Sequence, residues 1–227
     1  MSKVIVVVGH GPGISDAVAR RFGQAGYSVA IVARNADRLA KAAASLTAAG
    51  IRAQAFSADV SNPDAARKLI QDVRTALGPI SVLHWNAYTG GAGDLKTATT
   101  DELRKVLDVA VHSLIAATQA ALPDLKAQHG SLLVTGGGFA FYDAQVDTLA
   151  TQWGASGLAI SKAAQHKTVG LLHQALASDG VYVGEVVVTG AVQGTAYDSG
   201  NATLAPATIA EKFWELNQAR STASASL

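Results

Sequence analysis

Six short runs rich in β-branched residues alternate with longer alanine-rich stretches of helical period as far as residue 190, and few folds can absorb that alternation. The runs span 3–8, 28–33, 52–57, 80–85, 131–136 and 181–188, each apolar enough to be buried on both sides, as strands of a parallel sheet are when helices cover both faces. The stretches between them predict helices over 13–25, 36–49, 62–77, 100–128 and 155–179. Gly26 and Gly50 stand where helices stop, and Thr99-Thr100-Asp101-Glu102 offers a capping-box start. Beyond residue 190 the pattern weakens: 206–219 reads as a helix, and Ser221 to Leu227 is a small-residue tail in which a seventh strand would be short. With 227 residues, no internal repeat and no linker, the chain is expected to form one domain over 1–227. The fold class is α/β, a doubly wound parallel sheet of six to seven strands between two helical layers.

A net charge of +1 and a charged fraction of 15% remove the electrostatic grounds for a nucleic acid or an anionic membrane as partner, so the expected ligand is a small molecule. The absence of cysteine excludes disulfides, thiolate catalysis and cysteine-based zinc sites, and makes the cytoplasm the expected compartment. The apolar run Val4–Val8 is far shorter than a signal-peptide core or a membrane span and reads as a buried strand. The six histidines are scattered without metal-ligand spacing, and no metal is expected.

The first strand runs into Gly9-His10-Gly11-Pro12-Gly13-Ile14-Ser15, and a helical pattern starts at once. Glycine permits a sharp turn and close approach of a pyrophosphate to backbone N–H groups, while the helix N-terminus favours an anion. His10 reads as a contact on the phosphate side of that turn. At the end of the second strand, where a carboxylate would accept from a ribose 2′-OH, the residues are Ala33-Arg34-Asn35. A guanidinium grips a 2′-phosphate instead, so NADP(H) is preferred, with NAD(H) as the alternative; the other reading of Arg34, and of Arg38 beyond it, is a solvated cation.

Together with Ala58-Asp59-Val60, Trp85-Asn86-Ala87 and Ser161-Lys162-Ala163-Ala164, this turn resembles the short-chain dehydrogenase/reductase family in order and spacing over about residues 3–195. The resemblance implies a Rossmann-type fold. It assigns Gly9, Gly13 and Ile14 to the pyrophosphate and Asp59 and Val60 to the adenine, with Gly11 of the same turn and Arg34 and Asn35 after the second strand as further cofactor-binding candidates. Asn86 and Ala87 fall on the nicotinamide-side wall, Lys162 on the nicotinamide ribose, and Gly190 and Thr195 on the nicotinamide amide. The family's phenol, serine and asparagine are missing: Leu158 stands four residues before Lys162, Gly137 follows the fifth strand, and Ala110 occupies the fifth helix.

Between Gly137 and Lys162 the chain is longer than the family spacing by roughly two helical turns, and the extra segment carries Phe139, Phe141, Tyr142, Asp143, Asp147 and Trp153. Tyr142, its pKa lowered by Lys162, is the expected substitute phenol, with Tyr88 as a second candidate; the other reading is that these aromatics wall a pocket or a subunit contact. His112 and His166 are read as packed or hydrogen-bonded residues before they are read as general acids. Two functions stay open. One is an oxidoreductase moving hydride between NADP(H) and a small organic substrate with an unusual proton donor, and the other is a non-catalytic NADP(H)-binding sensor or regulatory subunit. A homodimer or homotetramer through helices 100–128 and 155–179 is expected from their small, closely approaching side chains.

Overall fold

The computed structural model describes residues 3–196 and 198–227; Met1, Ser2 and Tyr197 of the expected domain lie outside the described residues. Seven parallel strands form one sheet in the order β3-β2-β1-β4-β5-β6-β7. They are β1 (Val4–Val8), β2 (Ser28–Ala33), β3 (Ala53–Ser57), β4 (Ile80–Trp85), β5 (Ser131–Gly137), β6 (Tyr182–Val188) and the short β7 (Ser224–Ser226). The order reverses between β1 and β4, the switch point at which open α/β sheets bind ligands outside the carboxyl ends of their strands.

The helices are α1 (Ile14–Gln24), α2 (Ala36–Ala48), α3 (Pro63–Leu77), α4 (Thr100–Leu107), α5 (Ser113–Ala127), α6 (Ala144–Gln152), α7 (Ser156–Leu176) and α8 (Pro206–Ala219). Their apolar faces meet the sheet in two layers. Ile70, Leu114, Leu125 and Val169 belong to one, and Val18, Phe22, Leu39 and Phe213 to the other. Local chemistry sets the ends: Gly26 and Gly50 have φ of +88° and +79° just past α1 and α2, and Thr99 and Glu102 complete the capping box of α4.

Two expectations need correction. The strand 52–57 is the sheet edge, where Gln54 and Ser57 are exposed, so it is not buried on both sides. The single helix 100–128 is interrupted by a π turn over Asp108–His112 that separates α4 from α5. The long segment after Gly137 contains α6, capped by Asp143, whose carboxylate accepts from the amides of Gln145 and Val146.

Candidate functional site

The β1–α1 turn is built by close backbone contact. Gly9 has φ +83°, and a Cβ there would lie 2.5 Å from the Ala87 amide nitrogen, so only glycine lets β1 and the end of β4 come this near. The Gly9 and His10 amides donate to the Val32 carbonyl at 3.0 and 2.7 Å, and Asn86 Nδ2 donates to the Gly9 carbonyl at 3.1 Å. Gly13 has φ +115° and precedes α1 without a side-chain cap on the helix amides. A Cβ on Gly13 would stand 2.8 Å from the Thr195 methyl, so two residues 182 positions apart meet across the turn. Nothing stands within 4 Å of the Cβ direction of Gly11. His10 turns its Nε2 to Asp16, 3.4 Å away, and this contact, with Arg20 adding to it against the effect of burial, holds the Asp16 carboxyl below its ordinary range.

A cavity of about 230 Å³ opens beside this turn at the carboxyl ends of β1, β2 and β4. Gly9, His10, Arg34, Asn35, Arg38, Asp59, Val60, Asn86, Ala87 and Tyr88 border it, so most of the cofactor residues expected from sequence are brought together. A second hollow of about 370 Å³ continues over Gly11 and Pro12 toward Arg20, Arg38 and Lys41. Asn35 caps α2 by accepting from the Arg38 amide at 2.9 Å. Among the described residues, neither the Arg34 nor the Arg38 guanidinium has an acidic partner within 4 Å. Asp59 is held below the usual carboxylate range chiefly by the Ser61 amide, with the Arg34 charge adding to it against partial burial.

Lys162, which borders neither hollow, is buried on α7, and its Nζ donates to the Thr135 carbonyl at 2.7 Å and to Gln165 Oε1 at 2.9 Å. Burial pushes its pKa down to about 8, with the Glu185 charge acting the other way. A Cβ on Gly137 would sit 3.7 Å from the lysine stem, so Lys162 packs against that glycine. Leu158 has no proton to give, and Ala110 lies in the π turn. Behind the lysine, His84 Nε2 lies 3.1 Å from the Thr135 hydroxyl, and Glu185, fully buried on β6, accepts from His166.

Tyr142 is not brought to Lys162: its side chain is fully exposed, whereas the lysine is buried. The tyrosine that borders the cavity is Tyr88. His112 is a half-exposed surface residue bonded to Asp108 at 2.6 Å rather than an interior one. Gly190 lies against Leu204, which bridges to Val192. Sequence reasoning missed His84, Gln165 and Glu185. The available signal was a polar residue inside each apolar strand run, His84 in 80–85 and Glu185 in 181–188, and a glutamine one helical turn beyond the lysine.

A parallel sheet with its switch point at β1 and β4, a glycine turn feeding α1, and basic side chains at the end of β2 define a dinucleotide-binding α/β protein. Comparison narrows the class: the short chain dehydrogenase family model matches residues 3–203, and the chain belongs to that family of oxidoreductases. It is 32% identical over 163 residues to meso-2,3-butanediol dehydrogenase of Serratia marcescens, covering 72% of this chain and 61% of that protein. It is 31% identical over 186 residues to a 3-dehydrosphinganine reductase of Arabidopsis thaliana, covering 79% of this chain and 52% of the other. The chain thus spans only about half to three fifths of the length of such curated relatives. Among solved structures, a short-chain dehydrogenase/reductase from Serratia marcescens superposes with a TM-score of 0.87 at 25% identity, over 99% of this chain and 96% of that one. L-sorbose reductase of Gluconobacter frateurii, complexed with NADPH and L-sorbose, shares the fold with a TM-score of 0.86 at 21% identity, over 100% and 95%.

Proposed function

We propose that the chain is an NADP(H)-dependent oxidoreductase acting on a small organic substrate. The observation that carries the reading is the pair of guanidinium groups, Arg34 and Arg38, beside the cavity at the end of β2 without an acidic partner within 4 Å among the described residues. Two unneutralised cations at that edge suit a 2′-phosphate, and no carboxylate replaces Arg34 to receive a ribose hydroxyl. The NADPH complex of L-sorbose reductase supports the same cofactor. The turn Gly9–Ile14 would hold the pyrophosphate, Asp59 and Val60 the adenine, and Asn86, Ala87, Lys162, Gly190 and Thr195, whose methyl lies against Gly13, the nicotinamide half.

When bound, the nicotinamide supplies or takes the hydride. The protein's own task is to orient the substrate and manage a proton without a phenol on α7. Lys162 is the proton-bearing side chain beside Gly137, and a pKa of about 8 lets it exchange a proton near neutral pH. Reduction of an imine or an activated double bond asks less of the missing phenol than reduction of a ketone. A second reading, a non-catalytic NADP(H) sensor, is favoured by the joint loss of hydroxyl and amide at Leu158, Gly137 and Ala110. We also propose one domain in the cytoplasm, without nucleic-acid or membrane partners, assembling as a homodimer or homotetramer through α4–α5 and α7, whose outer face carries the exposed Ile160 and Leu171.

Fluorescence titration with NADPH and NADH, followed by carbonyls, imines and enones under nicotinamide absorbance, tests the reading. The parent is expected to prefer NADPH and to turn over a member of the panel. Arg34→Glu should weaken NADPH roughly 10- to 100-fold, the worth of a charge-assisted hydrogen bond, while changing NADH far less. Equal losses for both remove Arg34 from the 2′-phosphate role; tight NADPH binding without turnover selects the sensor.

A further inference from the structure

The side chain of Gln165 joins the π turn Asp108–His112 to the buried Lys162. Gln165 is fully buried on α7, three residues after Lys162 and hence on the same helix face. Its amide is committed at both ends: Nε2 donates to the Ala110 carbonyl at 3.1 Å, and Oε1 accepts from Lys162 Nζ at 2.9 Å. Burying an amide costs several kcal/mol if it is left unbonded, so an apolar side chain would fill a purely structural position at less risk. A π turn widens the helix and disturbs the ordinary i+4 pairing, and here Ala110 finds its donor on another helix. The lysine meanwhile spends two of its three N–H groups inside the protein, one on Thr135 and one on Gln165.

We propose that Gln165 is the positioning residue of Lys162: its carbonyl oxygen holds the buried ammonium beside Gly137, and its NH₂ anchors that hold to the π turn. The inference rests on Lys162 serving the site as described above, but its test does not need cofactor or substrate. The charged and titratable groups around Lys162 are Glu185 from β6, bonded to His166 of α7, and His84 from β4, which reaches the lysine through Thr135; Asp108 and His112 of the π turn pair with each other at the surface. Burial alone favours the neutral amine, so each acceptor on Nζ acts to retain the proton.

The experiment is an NMR titration of the cofactor-free protein carrying ¹³C-labelled lysine, with Lys162→Met to assign the resonance and circular dichroism to verify folding. The parent should show Lys162 titrating at about 8. Gln165→Glu places a carboxylate against the ammonium and should move the titration up by roughly one pH unit or more; Gln165→Met removes the acceptor and should move it down. If the two variants titrate where the parent does, or shift in the same direction, Gln165 merely packs and the proposal is overturned. Should Gln165→Met fail to fold, the shift in Gln165→Glu decides alone. Failure of the parent to bind NADPH would sink the oxidoreductase reading without touching this result.

Discussion

Lowering the pH from about 7 to about 4.5 should cost this protein roughly 2.7 kcal/mol through His84 alone. His84 is fully buried within β4, edge-on to Phe213 with ring centroids 4.8 Å apart, and its Nε2 lies 3.1 Å from the Thr135 hydroxyl. Its Nδ1 has no hydrogen-bond partner among the described residues, so an imidazolium would bury both a charge and an unmet donor. Burial pushes the pKa down to about 3 from an ordinary 6.5. Because the folded pKa is depressed, the unfolded chain binds the proton first, and stability present above pH 6.5 is lost as the pH falls toward 3. At about pH 4.5 the unfolded histidine is two units below its pKa while the folded one is still neutral, and two units at about 1.36 kcal/mol each give the figure. The result is insensitive to the folded pKa so long as that stays below about 4. Urea unfolding at both pH values, for the parent and for His84→Gln, isolates the term, since every other titrating group is common to both. The parent should lose about 2.7 kcal/mol more than the variant. Equal pH dependence in the two proteins would mean that His84 charges in place, and the burial argument would be wrong.

Other substitutions address the turn, the buried carboxylate and the exposed phenol. Gly9→Ala should lower stability by about 1–3 kcal/mol and abolish NADPH fluorescence enhancement, because φ +83° and the 2.5 Å approach to Ala87 leave no room for a methyl; an unchanged melt and titration would refute the close contact. Gly136→Ala drives a methyl into the Glu185 carboxylate and should cost on the order of 2 kcal/mol in urea unfolding; a neutral outcome would show that Glu185 has room to move. Tyr142→Phe should leave kcat unchanged on any substrate the panel identifies, since the phenol is fully exposed. A drop of more than about tenfold would bring Tyr142 into the reaction.

Much of the frame was legible because it is written in short-range patterns. Strand runs, the helix stops at Gly26 and Gly50 and the capping box at Thr99 depend on residues within one turn of one another, and they stand close to where periodicity puts them. The edge position of β3 was not legible, since Ala53–Ser57 becomes an edge only through the order in which strands assemble. Nor was the π turn, because Asp108–His112 continues the helical pattern of its flanks and the wide turn matches a bonding demand from α7. The strand run 131–136 already took in Gly136, but the role of the glycines that follow was not legible. In the structure Gly136 lies within β5 and clears space for Glu185, and Gly137 faces Lys162.

By itself the sequence determined the doubly wound sheet, the glycine turn at its switch point and the arginine at the end of the second strand, because each is a property of residue type at a local spacing. Only the tertiary structure decided which groups meet. It brought Thr195 onto Gly13, set Tyr88 at the cavity while leaving Tyr142 in solvent, and surrounded Lys162 with Thr135, Gln165 and the charge of Glu185. These contacts join residues on different strands and helices, and a lysine's proton affinity is a sum over such neighbours and their burial rather than a property of the lysine's place in the chain.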